Sequence, residues 1–127
     1  MRITLIVGLP GSGKTYLANK LALERTTVID DITSCEQLPE SPKELIITDV
    51  NFCDAKILET AKYRLKDMYP NAEFDIIYFE NDAKKARLNV LYRNDGRNVE
   101  GTISRFERIY SPPTDGLFPP REIWQSK

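Results

Sequence analysis

Apolar positions in this chain follow two rhythms. Short runs rich in β-branched residues recur at Ile3 to Val7, Thr26 to Asp30 ("TTVID"), Glu44 to Asp49 ("ELIITD") and Phe74 to Phe79 ("FDIIYF"). Apolar runs of that length, closed by a glycine or an acid, predict buried strands. Between them apolar residues return every three or four positions, the spacing of one helix face. Leu17, Ala18, Leu21 and Ala22 make one such stripe in a helix over Lys14 to Glu24. Ile57, Leu58, Ala61, Leu65 and Met68 make another over Asp54 to Met68, stopped by Pro70 and Asn71. Asp82 can cap a third helix running to about Tyr92. Thr102 is placed to cap a short fourth one with Ile103, Phe106 and Tyr110 inward. "REIWQ", Arg121 to Gln125, predicts a fifth strand at a sheet edge.

Strands that alternate with helices imply a parallel sheet covered on both faces. The expected fold is α/β, a three-layer α/β/α sandwich around a five-stranded parallel sheet. At 127 residues the chain makes one domain, 1–127. Within it, 93–101 ("RNDGRNVEG") is polar and glycine-punctuated, so it reads as a mobile arginine lid. Residues 111–127 form a C-terminal extension that opens on the irregular "SPPTDGLFPP" and holds the edge strand. Ligands of such sheets gather beyond the C-terminal ends of the strands.

Charge sharpens this picture only locally. The net charge is −1, so nothing global advertises a polyanionic partner. Glu24 to Glu59 holds nine acidic and three basic residues, whereas Lys84 to Arg108 holds seven basic and three acidic. The second stretch could turn a positive face to phosphates. There is no histidine, and Cys35 and Cys53 make neither a CxxC pair nor a disulfide framework. Zinc is therefore not expected, and two reduced thiols fit a cytoplasmic protein. No apolar run approaches the length of a membrane span. "MRITLIVG" lacks a following small-residue cleavage site and reads as a strand, not a signal peptide.

The chemistry is concentrated in "GLPGSGKT", Gly8 to Thr15, which matches GxxxxGK(S/T) between a predicted strand and a predicted helix. Gly8, Gly11 and Gly13 let the chain curl tightly around an anion. Backbone N–H groups of the loop, Ser12 included, then point at phosphates, and the helix start adds its positive dipole end. Lys14 would reach the β- and γ-phosphates of ATP, and the Thr15 hydroxyl would ligate Mg²⁺. Two strand-end acids face the same region. Asp49, with Asn51 beside it, could hold Mg²⁺ or fix Thr15, or could simply cap the next helix. Asp30 and Asp31 point opposite ways, so only one can serve as general base, and Asp30 is the choice. Arg93 and Arg97 would neutralise the moving phosphoryl group, whereas Lys84 and Arg87 read as the wet face of a helix.

"GLPGSGKT", "IDD", "LIITDVN" and "YRNDGR" together resemble the kinase domain of phage polynucleotide 5′-kinase and its zeta-toxin-like P-loop relatives, over about residues 1–110. The resemblance implies a P-loop nucleotide-kinase sheet of order 2-3-1-4-5. It implies transfer of the γ-phosphate of ATP to a 5′-hydroxyl of a nucleic acid, with single-stranded 5′ ends as partners. On it, Lys14 and Thr15 hold phosphates and Mg²⁺, Asp30 is the base, Arg97 is the lid arginine, and Asp49 and Asn51 match the family's "DTN"-like element. Two features depart from that pattern. "DDITS" lacks the family's arginine after the acidic pair, and Ile32 to Lys43 is short and holds Pro39 and Pro42. A small-molecule kinase and a non-catalytic nucleotide-binding protein stay open beside the polynucleotide kinase.

Overall fold

A computed structural model describes residues 1–30, 38, 43–93, 100–114 and 116–117, with the backbone alone at residue 93. Four strands run β1 (Arg2–Val7), β2 (Thr26–Asp30), β3 (Glu44–Thr48) and β4 (Glu73–Tyr78). Among the described residues four α-helices alternate with or follow them: α1 (Lys14–Leu21), α2 (Ala55–Met68), α3 (Ala83–Arg93) and α4 (Glu100–Ile109). A 3₁₀ turn, Val50–Cys53, links β3 to α2. The sheet is all parallel in the order β2-β3-β1-β4. That is the expected order without a fifth strand. Arg121 to Gln125, where the fifth was expected, lies outside the described residues.

Side-chain alternation splits each strand between two cores. Ile3, Leu5 and Val7 of β1 and Leu45 and Ile47 of β3 face one cluster, built with Leu58 and Leu65 of α2, Ala83 and Ala86 of α3, and Ile103 and Phe106 of α4. Ile6 of β1 and Ile46 of β3 face the other, with Ala18 of α1, and with Val28 and Ile77 half-buried beside them. The sheet therefore has α1 on one face and α2, α3 and α4 on the other. β1 and β3 are neighbours whose following helices leave to opposite faces. That divergence opens a crevice beyond the C-terminal ends of the two strands, the usual ligand position in open α/β sheets.

Several element ends differ from expectation for local reasons. The stripe on α2 is narrower than its spacing implies: Leu58 and Leu65 are buried, whereas Ile57 and Met68 are exposed. α1 stops at Leu21, because Ala22 turns extended while its N–H still reaches Ala18 O. β3 stops at Thr48, because Asp49 turns its carboxylate to the following 3₁₀ turn. α4 starts at Glu100 rather than at Thr102. Glu100 is placed there by Arg87, whose Nε lies 2.7 Å from Glu100 Oε1. Arg87 also donates to Ser104 Oγ and sits 3.8 Å from Glu107. It is thus a clamp between α3 and α4, and the expected free wet face holds for Lys84 alone of the two.

Candidate functional site

The glycine-rich loop leaves β1 at Gly8 and enters α1 at Lys14. Gly11 (φ 83°) and Gly13 (φ 105°) occupy the left-handed region, which explains glycine at both positions. Between them the chain closes a tight turn, with Ser12 N donating to Leu9 O at 3.1 Å. The same carbonyl accepts from Lys14 Nζ at 3.0 Å, so the ammonium lies over the loop's own turn. Space around the loop is scarce. A Cβ at Gly8 would stand 2.6 Å from Ser12 Oγ, and one at Gly11 would stand 2.6 Å from the Ala86 carbonyl oxygen.

Two polar groups in this loop lack the usual protein partners. The Ser12 hydroxyl is buried with no hydrogen-bond partner. The start of α1 has no side-chain cap, since Gly13 stands at the N-cap. The other starts with a capping bond use an acid: Asp49 accepts from Asn51 N, Asp54 from Lys56 N, and Asp82 from Lys85 N. A helix start without a cap leaves its first N–H groups available to an anion.

Thr15, at the first turn of α1, donates its hydroxyl to Asp30 Oδ2 at 2.8 Å. The other oxygen of Asp30 accepts from Thr48 Oγ1. The register explains the meeting: Asp30 pairs with Thr48 across β2 and β3, so both side chains stand on one face, and α1 lies over that face. Of the roles left open to Asp49, fixing Thr15 is thus filled by Asp30. Asp49 instead caps the 3₁₀ turn through Asn51 N at 2.8 Å, the capping role that had also been open to it. Asn51 contributes its backbone N–H there.

Beneath the loop lies the Cys53 thiol, 2% exposed. Burial pushes its pKa up to about 12 from 9.0, reinforced by the Asp49 charge and opposed by Lys14 and the Gly8 N–H. The thiol is therefore neutral at ordinary pH and works as packing.

Two contributions escaped the sequence reading. Asn89 of α3, fully buried, donates Nδ2 to Gly11 O at 2.7 Å and so ties the loop to the helix that leads into 94–99. The signal was a polar residue on the apolar stripe of Ala83, Ala86 and Val90. Tyr110, just past α4, places its hydroxyl 2.5 Å from Phe79 O and 3.3 Å from Val7 O. It holds together the ends of β1 and β4 where the loop departs, and nothing in its spacing distinguishes that from ordinary core tyrosine. Of the expected arginines, Arg97 lies outside the described residues, and Arg93 is described only as the last backbone position of α3.

Among the described residues no three His, Cys, Asp or Glu side chains converge as a metal cage. The donor set present, a threonine hydroxyl and one carboxylate beside an anion-ready loop, fits Mg²⁺ carried by a nucleotide. That ion is held through one or two carboxylates plus substrate phosphates rather than by a protein cage. Among the described residues no helix is long and apolar enough to cross a membrane.

No protein-family model matches the chain. It is similar to an uncharacterized protein of Acanthamoeba polyphaga mimivirus, 25% identical over 122 residues, which covers 89% of this chain and 88% of that protein.

Proposed function

We propose that this protein is an ATP-dependent, Mg²⁺-assisted phosphotransferase of P-loop type, and that its acceptor is the 5′-hydroxyl of a nucleic acid. The observation that carries the reading is the loop of Gly8 to Thr15, whose helix start has no side-chain cap and whose Thr15 is paired with Asp30. Backbone N–H groups of Gly11 and Gly13 would take the phosphates, with the Ser12 hydroxyl as an added donor, whereas the Ser12 N–H expected among them is spent on Leu9 O. Lys14 would exchange the Leu9 carbonyl for a phosphate oxygen, a stronger partner because it is charged. Thr15 would hold Mg²⁺, which when bound neutralises charge developing on the phosphates. Asp30, the strand-end acid that accepts from Thr15, would stand beside the ion's shell and take the proton of the acceptor hydroxyl. Arg93 and Arg97, carried on the segment after α3, would cover the transferring group.

The polynucleotide acceptor rests on the motif resemblance and on the basic stretch Lys84 to Arg108. The test is transfer of labelled γ-phosphate from ATP to a single-stranded oligonucleotide with a free 5′-hydroxyl. The expected result is Mg²⁺-dependent labelling, absent with a 5′-phosphorylated oligonucleotide and lost in Lys14→Ala. Labelling of a nucleoside but no polymer would move the assignment to a small-molecule kinase. Tight ATP binding with no transfer to either would leave a non-catalytic nucleotide-binding protein.

A further inference from the structure

The geometry points to Thr48 as the positioning residue of this site. It makes the β2 acid Asp30, and not the β3 acid Asp49, the carboxylate that backs Thr15. The inference rests on the nucleotide reading above and goes past it, since the Mg²⁺-side acid of such a loop was expected at the end of β3.

Four observations converge. Thr48 is paired in register with Asp30 on one side and with Ile6 on the other, so it sits in the middle of the sheet beside the loop-bearing strand. It is fully buried, and a β-branched side chain in a strand has a restricted χ1. Its single hydroxyl proton goes to Asp30 Oδ1. That bond fixes the carboxylate and leaves Oδ2 directed at Thr15, whose own proton it receives at 2.8 Å. A threonine hydroxyl carries one donor and two acceptor lone pairs. With the donor spent on Asp30, the lone pairs of Thr15 are free for a cation, and the adjacent negative charge makes the oxygen a better ligand. Asp49 is committed elsewhere, since its Oδ1 caps the 3₁₀ turn that closes the loop floor. The buried, unpartnered hydroxyl of Ser12 in the same loop independently marks a place where a ligand is due.

The experiment measures binding of a non-hydrolysable ATP analogue by calorimetry, with Mg²⁺ and with EDTA, for wild type and variants of checked fold. The wild type is expected to bind more tightly with Mg²⁺. Thr48→Val removes one charge-assisted hydrogen bond and should cut the Mg²⁺ gain by about tenfold, with affinity in EDTA unchanged. Thr48→Ser, which keeps the hydroxyl, should bring the gain back to within about threefold. Asp49→Asn retains a capping oxygen and should keep the gain. A full Mg²⁺ gain in Thr48→Val, or its loss in Asp49→Asn, overturns the inference while leaving nucleotide binding intact. Should Thr48→Val not fold, Asp30→Asn reads the same relay: loss of the gain supports it and retention overturns it. A wild type that binds no nucleotide under either condition overturns the site reading and this inference with it.

Discussion

Gly11→Ala is the sharpest test of how the loop is built. Two separate penalties apply at this position. Gly11 has φ 83°, and an L side chain in the left-handed region costs about 1–2 kcal/mol. The added Cβ would also stand 2.6 Å from Ala86 O and 2.8 Å from Val90 Cγ2. Ala86 O belongs to the backbone of α3, so it cannot rotate away as a side-chain tip could. Moving it even to 3.0 Å requires a shift of 0.4 Å, 3.0 minus 2.6. Overpacking of that kind adds about 1–3 kcal/mol. The total, about 2–5 kcal/mol, is a large part of the about 5–15 kcal/mol that holds a domain together. Urea unfolding followed by far-UV circular dichroism measures it, as a lower midpoint at unchanged slope. Gly101→Ala is the control. Gly101 lies in α4, nothing lies within 4 Å of its added Cβ, and the change should stabilise by about 0.5–1 kcal/mol. If the two variants differ by less than about 1 kcal/mol, the loop does not lean on α3 as described.

Three further outcomes follow from the same contacts. Tyr110→Phe removes the hydroxyl's bond to Phe79 O, so the expected loss is about 0.5–1.5 kcal/mol in urea unfolding; no loss would mean the hydroxyl was idle. Arg87→Met should cost about 1 kcal/mol at low salt and less in 1 M salt, because its partners Glu100 and Glu107 are on the surface; a salt-independent loss would point to packing instead. Stability should fall as pH rises from 9 toward 12, by at most about 1.4 kcal/mol per unit from Cys53. There the unfolded thiol gives up its proton while the folded one keeps it, so the unfolded state gains. Burial moves Tyr110 in the same direction. Cys53→Ala should flatten the alkaline slope, and an unchanged slope would refute the account of that thiol.

Local pattern carried most of the architecture. β2 was bounded at Thr26 and Asp30 from a five-residue run rich in β-branched residues, and β1 and β3 were placed to within a residue at each end. The strand order came with the motif resemblance, because periodicity alone does not order strands. What pattern could not supply was pairing across the sheet. The two-residue repeat of a strand says that only one of Asp30 and Asp31 can face the loop, but not which. Knowing that Thr48 stands opposite Asp30 needed the register, which depends on where two loops place the strand starts. Glu100 was misassigned to a loop for a related reason. In the helix it pairs with a residue thirteen positions away, a contact to which short-range propensity is blind.

The meeting of Thr15, Asp30 and Thr48 also explains why an apolar strand ends on a threonine. Position 48 lies on the α1-facing side, one step beyond Ile46, where the core runs out and the loop begins. A valine there would fill the space equally well but would leave Asp30 Oδ1 without the Thr48 donor, with Thr15 alone still bonded to the acid. Valine at 48 should therefore be tolerated by the fold better than by the site. The opposite holds at Asp49, whose carboxylate closes a backbone turn, so its loss should tell first on the fold. Two adjacent polar residues at one strand end thus divide the work: Thr48 serves the loop across the sheet, and Asp49 serves the chain that follows. A double substitution, Thr48→Val with Asp49→Ala, which removes the capping oxygen, provides the check. If the division is real, the effects on unfolding midpoint and on Mg²⁺-dependent nucleotide affinity add within about 0.5 kcal/mol, and a larger coupling shows the two residues acting as one unit.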